Sequence, residues 1–139
     1  MRVFLDSSVI IFGLETENCN SAVILEALMK DKFECIINNK VLREVRKYLQ
    51  RRRNKNFAFL FEALLRKKCT ICPKDEYNSE MAKWEKSIKV KDLEHIATVK
   101  SLGINTLVAY DRDFEKFSEY VIPRDFVKML GKKVFSTEY

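Results

Sequence analysis

Four carboxylates in this chain stand where solvation alone is a poor explanation. Asp6 interrupts two apolar runs in "MRVFLDSSVIIF", and an unpaired carboxylate buried between them costs several kcal/mol. Glu44 sits early in "KVLREVRKYL", Asp92 opens "DLEHIATVKSL", and Asp111 directly follows "INTLVAY". Each has a bland reading of its own. Asp92 is a good first-turn helix acid, stabilising by roughly 0.5–1 kcal/mol. Glu44 lies among Arg43, Arg46 and Lys47 and suits a surface ion pair of little energetic consequence. Asp111, in "DRD", suits a tight turn. Four such groups in one pocket, however, would repel one another and raise each other's pKa unless a cation shared them. A set of oxygen ligands without Cys or His is hard-ligand chemistry and points to Mg²⁺ or Mn²⁺. Those metals favour phosphate oxygens, so a phosphoester is the natural substrate.

Other reactive side chains are less informative. "CTIC" at 69–72 has the spacing of half a zinc site, but Cys19 and Cys35 are far apart and His95 is the only histidine. The cysteines therefore read as ordinary reduced thiols, with Cys35 in the core. His95 follows Asp92 by three residues and reads as a packing or surface residue rather than a general base. Glu94 reads as solvent-facing.

The elements that must position the acids follow from pattern. Residues 2–5 read as a buried parallel strand, and Asp6-Ser7-Ser8 offers a helix N-cap. A helix follows Asn20-Ser21. "FECII" (33–37) reads as a second strand, and Asn38-Asn39 as a turn or cap. From Lys40, Leu42, Val45 and Leu49 mark one helix face. "FAFLFEALL" (57–65) reads as a helix packed on more than one side, with Phe57, Phe59 and Phe61 as core or interface residues rather than base-stacking ones. "TIC" reads as an edge strand, and about 76–87 as a helix. Asp92 starts a helix closed by Gly103, "INTLVAY" is a strand, and "YVI" a last strand before the helix "PRDFVKML". Strands alternating with helices predict an α/β fold: a three-layer α/β/α sandwich over a central parallel sheet of four to five strands, in a single domain over 1–139. Ligands of such sheets bind beyond the carboxyl ends of the strands. Asp6 and Asp111, about a hundred residues apart, thus meet at one edge, with Glu44 and Asp92 approaching on helices.

Charge is segregated. Lys40 to Lys68 holds eleven Lys or Arg against two acids, while the rest of the chain nets −3. In isolation such a run is better explained by a solvated lysine-rich helix face. Beside an acidic pocket it suggests a polyanion-binding surface, with Arg51, Arg52, Arg53 and Lys55 as candidate contacts to a phosphodiester backbone. No apolar run approaches the roughly 20 residues of a membrane span, and the N-terminus is a poor signal peptide, so a cytoplasmic protein is expected.

"VFLDSSVII", "KVLREVRKYL", "VKDLEHIATVKSLGINTLVAYDRDF" and "VIPRDFVKML" resemble, in order and spacing, the PIN domain of the VapC-like ribonucleases. The block from Asp92 to Phe114 is the most specific part. The resemblance implies Mg²⁺/Mn²⁺-dependent RNA hydrolysis, with the metal-binding acids falling on Asp6, Glu44, Asp92 and Asp111. Ser8 would support Asp6, and Asp113 would be a further supporting acid. It also implies a homodimer and a small antitoxin protein as partners. Ala109 departs from the Thr or Ser common in the family, which keeps open a catalytically weak RNA- or antitoxin-binding module. "LVAYDRDF" contains the D-x-D of haloacid-dehalogenase-like phosphatases, but only 26 residues follow Asp113. A phosphoacceptor receiver domain expects an acid pair after strand one, where this chain has Asp6 and two serines.

Overall fold

In the computed structural model, which describes residues 1–136, five short strands share one sheet. β1 (Arg2–Leu5), β2 (Glu34–Asn38), β3 (Cys69–Cys72), β4 (Thr106–Val108) and β5 (Tyr120–Val121) stand in the order β3-β2-β1-β4-β5, and every pairing is parallel. The helices are α1 (Ser7–Glu15), α2 (Asn20–Met29), α3 (Asn39–Arg52), α4 (Lys55–Lys68), α5 (Lys74–Trp84), α6 (Val90–Leu102) and α7 (Pro123–Met129). α1 packs on α2 and α3, α3 on α4, and α2 on α7, while α5 and α6 pack on each other. The result is the expected α/β/α sandwich with a parallel sheet. Val3, Phe4 and Leu5 of the central strand are fully buried, which is why β1 reads as an unbroken apolar run.

The chain runs outward from β1 through β2 to β3, then returns to place β4 on the other side of β1. The switch point lies between β1 and β4, and the Asp6 N–H closes it by donating to the Val108 carbonyl at 3.0 Å. Sheets of this kind leave a crevice at such a point, beyond the carboxyl ends of the strands. Three helices begin beside it. α1 starts directly after Asp6, although the Asp6 side chain makes no capping hydrogen bond and so stays available. α3 is capped by Asn38, whose Oδ1 accepts from the Val41 N–H at 3.0 Å. α6 carries Asp92 in its first turn, again without a side-chain cap. It ends at Gly103 (φ +62°), where Ile104 N–H reaches back to the Val99 carbonyl at 3.0 Å.

Several local readings need correction. Cys19, not Asn20-Ser21, caps α2, its Sγ accepting from Ala22 N–H. α5 begins two residues earlier than expected, because Pro73 sits at the cap and pre-orders the chain. β4 is only three residues long, and Ala109 to Asp111 lead out of the sheet. α4 is not packed all round: Phe59 and Leu60 are 70% and 59% exposed, while Phe61 is buried and stacks on Phe57. All four cysteines are buried free thiols, and among the described residues none joins a cluster able to hold a metal. No helix among the described residues is long and apolar enough to cross a membrane.

Candidate active site

The crevice at the switch point is an open cavity of about 370 Å³. Asp6, Glu44, Asp92 and Asp111, drawn from four separate segments, all line it. They form two adjacent groups. Asp6 and Glu44 meet around His95, and Asp92 and Asp111 meet with Asp113, with one ligand atom from each residue within 4.8 Å of the others in its group.

In the first group the Ser8 hydroxyl donates to Asp6 Oδ2 at 2.7 Å, and His95 Nε2 lies 3.2 Å from Asp6 Oδ1. Burial raises the Asp6 pKa, but the hydrogen bonds and charge of His95, with those of Ser8 and the Ser7 N–H, outweigh it and hold the carboxyl below its usual value. Glu44 Oε1 accepts from the Ser7 hydroxyl at 3.2 Å and stands 3.5 Å from His95 Nε2. The His95 ring is 1% exposed. Burial disfavours its charged form, while the two carboxylates favour it and push its pKa up to about 9.

In the second group Lys91 Nζ donates to Asp111 Oδ2 at 2.7 Å and lies 3.8 Å from Asp92 Oδ2 and 4.0 Å from Asp113 Oδ2. Lys89 pairs with Asp113 at 3.1 Å. The Asp113 N–H donates to Asp111 Oδ1 at 2.9 Å, which fixes the turn that carries both acids. Burial raises the Asp111 pKa, but the Lys91 hydrogen bond and the Asp113 N–H bring it below normal. Asp92 behaves in the opposite way. Burial raises its pKa, and the charges of Asp111 and Asp6 add to the rise, with Lys91 and His95 opposing. Its Oδ2 is buried and accepts no hydrogen bond from any described residue.

The model of the PIN domain family matches residues 3–120, most of the chain. The chain belongs to the PIN domain family. Solved structures agree on the fold. A toxin–antitoxin complex from Klebsiella pneumoniae aligns with a TM-score of 0.69 at 16% identity, covering 87% of this chain and 97% of that one. VapBC2 from Rickettsia felis, bound to a DNA fragment from its promoter, gives 0.63 at 16% identity over 88% and 97%. The Mycobacterium tuberculosis toxin VapC20, described as cleaving the sarcin–ricin loop, gives 0.62 at 20% identity over 84% and 97%. No curated protein matches the chain.

In this PIN domain the residues present fit a divalent cation. The cavity is lined by four carboxylates with the single imidazole of His95 beside two of them, and Asp92 Oδ2, which accepts no hydrogen bond from any described residue, is the kind of buried acceptor that a hard cation satisfies. Ser8 stands against Asp6, and Asp113 is part of the second group rather than remote from it. Two residues were missed. His95 bridges Asp6 and Glu44, and the signal lay in its position three residues after Asp92, which puts both on one helix face. Lys91 neutralises the second group, although a lysine beside an acid at a helix start reads as surface. Glu94, expected to face solvent, accepts from the Tyr77 hydroxyl at 2.7 Å.

The basic block is only partly free. Arg53 is bound to Glu15 at 2.7 Å and lies over the Phe57 ring, and Arg52 stacks over Tyr48. Arg51 and Lys55 are exposed and have no ion-pair partner among the described residues. At 1.5 Å per residue, Arg52 stands about 12 Å along α3 from Glu44. Ala109 is fully buried, its N–H donating to Val121.

Proposed function

We propose that this PIN domain is a Mg²⁺- or Mn²⁺-dependent ribonuclease that hydrolyses RNA phosphodiester bonds at the cavity between β1 and β4. The observation that carries the reading is Asp92: a buried carboxylate, one oxygen without a hydrogen bond from any described residue, facing two further acids in an open cavity. A purely structural core has no use for that arrangement. Asp6, Asp92 and Asp111 would hold the cation, with Glu44 as a further ligand or as the base that orients the attacking water. When bound, the cation supplies Lewis-acid activation of the phosphodiester and of the water.

The chain's own residues do the rest. Ser8 and His95 hold Asp6 from both of its oxygens, which fixes the carboxylate at the cavity wall. Asp113 fixes Asp111 through the turn. Lys91 stabilises the acids in the absence of metal, and its long exposed stem lets the ammonium leave Asp111 for a phosphate oxygen. Arg51, Arg52, Arg53 and Lys55 supply sequence-independent contacts to the RNA backbone, with Arg51 and Lys55 the most available. Because the neighbouring folds include toxin–antitoxin complexes, we assign the protein to the same kind of system. A small antitoxin protein would be its partner, a homodimer its assembly and the cytoplasm its compartment.

A second reading, a weak or inactive RNA- or antitoxin-binding module, rests on Ala109, which brings no hydroxyl to the chain leading to Asp111. One assay decides between them. Purified protein is incubated with RNA in Mn²⁺, beside an EDTA control and the Asp6→Asn variant. Cleavage confined to the wild type with Mn²⁺ supports the nuclease; RNA binding without cleavage supports the module.

A further inference from the structure

His95 is the only histidine of the chain, is fully buried, and touches two proposed metal-holding acids without lying in the sequence pattern that marks them. Its ring is fixed from three sides. Phe4 packs against it with ring centroids 5.1 Å apart, Nε2 faces Asp6 and Glu44, and Nδ1 lies 3.3 Å from Asn38 Nδ2. The Asn38 amide cannot be turned over. Its Oδ1 accepts from the Val41 backbone N–H, which can only donate, so Nδ2 is the atom aimed at the ring. The same Nδ2 donates to Thr98 Oγ1 at 2.9 Å and lies 3.3 Å from the Glu94 carbonyl, to which the Thr98 hydroxyl also donates, so its second hydrogen is shared between that carbonyl and Nδ1. An amide nitrogen does not accept, so Nδ1 faces it without a hydrogen and the ring hydrogen sits on Nε2 once a cation shares the charge of Asp6 and Glu44; without the cation the same two carboxylates draw a second proton onto the ring.

We propose that His95 is a positioning residue, an Nε2–H donor that sets Asp6 and Glu44 side by side for the cation, with Asn38 selecting the ring tautomer. The inference rests on the ribonuclease reading, and it excludes two roles His95 would otherwise invite. A nitrogen that carries a hydrogen cannot ligate the metal, and one already directed at two carboxylates cannot serve as general base. The network also explains how β2 contributes to the site. Its last residue, Asn38, caps α3 on one side and aims His95 on the other, so one side chain sets both the helix bearing Glu44 and the donor that holds it.

The test uses Mn²⁺ alone as probe, with affinity read by electron paramagnetic resonance on wild type, His95→Gln and His95→Asn. Glutamine places its amide N–H near the position of Nε2, whereas asparagine reaches only as far as Nδ1. Partners that orient ligating carboxylates are worth 10–100-fold in metal affinity. His95→Gln should therefore stay within about threefold of wild type, and His95→Asn should bind about 10-fold or more weakly. Equal affinities for all three, or equal losses in both variants, overturn the proposal. No Mn²⁺ binding by wild type overturns the nuclease reading itself, which is a distinguishable result. Should the variants fail to fold, ¹⁵N-histidine NMR on the Mg²⁺-loaded wild type decides, because its one histidine gives one pair of ring signals. A hydrogen on Nε2 and none on Nδ1 is expected. A bare Nε2 makes His95 a ligand, and a hydrogen on Nδ1 breaks the Asn38 link; either overturns the proposal.

Discussion

Replacing Asp92 with Asn should make the metal-free protein more stable while destroying its response to metal. Asp92 is 7% exposed, and its Oδ2 accepts no hydrogen bond from any described residue. An unsatisfied buried acceptor costs roughly 1–3 kcal/mol, more when charged. The carboxylate also faces Asp111 and Asp6, and Lys91, 3.8 Å away and largely exposed, offsets this more than His95 does. A pair with so exposed a lysine is worth at most about 1 kcal/mol. Asparagine removes the charge and turns a donor toward the neighbouring acids, so the net gain is about 1–2 kcal/mol. For a chain of this size that raises Tm by roughly 3–8 °C. The pH dependence carries a definite sign. Because the folded-state pKa is raised above the ordinary 3.8, the protonated form is favoured by folding, and stability from this group is full below pH 3.8. It is lost as pH rises through the folded value. The advantage of Asp92→Asn should therefore nearly vanish near pH 3.5 and be complete at neutral pH. Mn²⁺ at a hundredfold excess over its Kd should stabilise wild type by about 2.7 kcal/mol and leave the variant unmoved. Differential scanning calorimetry across pH, with and without Mn²⁺, measures all of this. A variant less stable than wild type without metal at pH 7, or one still stabilised by Mn²⁺, would refute the reasoning.

Other expectations follow from the same geometry. Lys91→Met should tighten Mn²⁺ binding by up to about fivefold, since the ammonium shares Asp111 with the cation and an exposed pair is worth at most about 1 kcal/mol. Lys40→Met, which removes a charge that among the described residues hydrogen-bonds the Lys91 carbonyl and pairs with no acid, should leave titrations by calorimetry unchanged. Arg51→Ala should weaken single-stranded RNA binding and flatten the log–log salt dependence by about 0.7 per lost phosphate contact, as read by fluorescence anisotropy. Arg53→Ala should do less to binding, because that guanidinium is held by Glu15 and Phe57. Gly13→Ala should destabilise the fold in thermal melts, because a Cβ there would meet the Ser21 carbonyl at 2.5 Å where α1 crosses α2.

What the sequence makes legible here is whatever short-range pattern decides. A run such as Val3-Phe4-Leu5 must be buried on both faces, and its first charge must mark the strand's end; Asp6 is there. Gly103 closes α6 because only a residue free to take φ near +62° can do so cheaply. The acids could be gathered because a parallel sheet sends the ends of its strands to one edge. What stayed hidden depends on contacts between distant segments. His95 gains its role from Asn38, 57 residues away, and from Glu44 on another helix. Lys91 is distinguished from other surface lysines only by where Asp111 and Asp113 arrive. The exposure of Phe59 and Leu60 is hidden for a different reason: an apolar helix reads as buried whether or not the chain supplies a second surface to cover it.

The central claim is that the acids of this PIN domain hold one catalytic cation site, and crystals soaked in Mn²⁺ and measured at the manganese absorption edge test it most directly. The account predicts an anomalous peak within coordination distance of Asp6, Asp92 and Asp111, with the Lys91 ammonium displaced from Asp111. An absence of any peak among these carboxylates, with Lys91 still bound to Asp111, would contradict it.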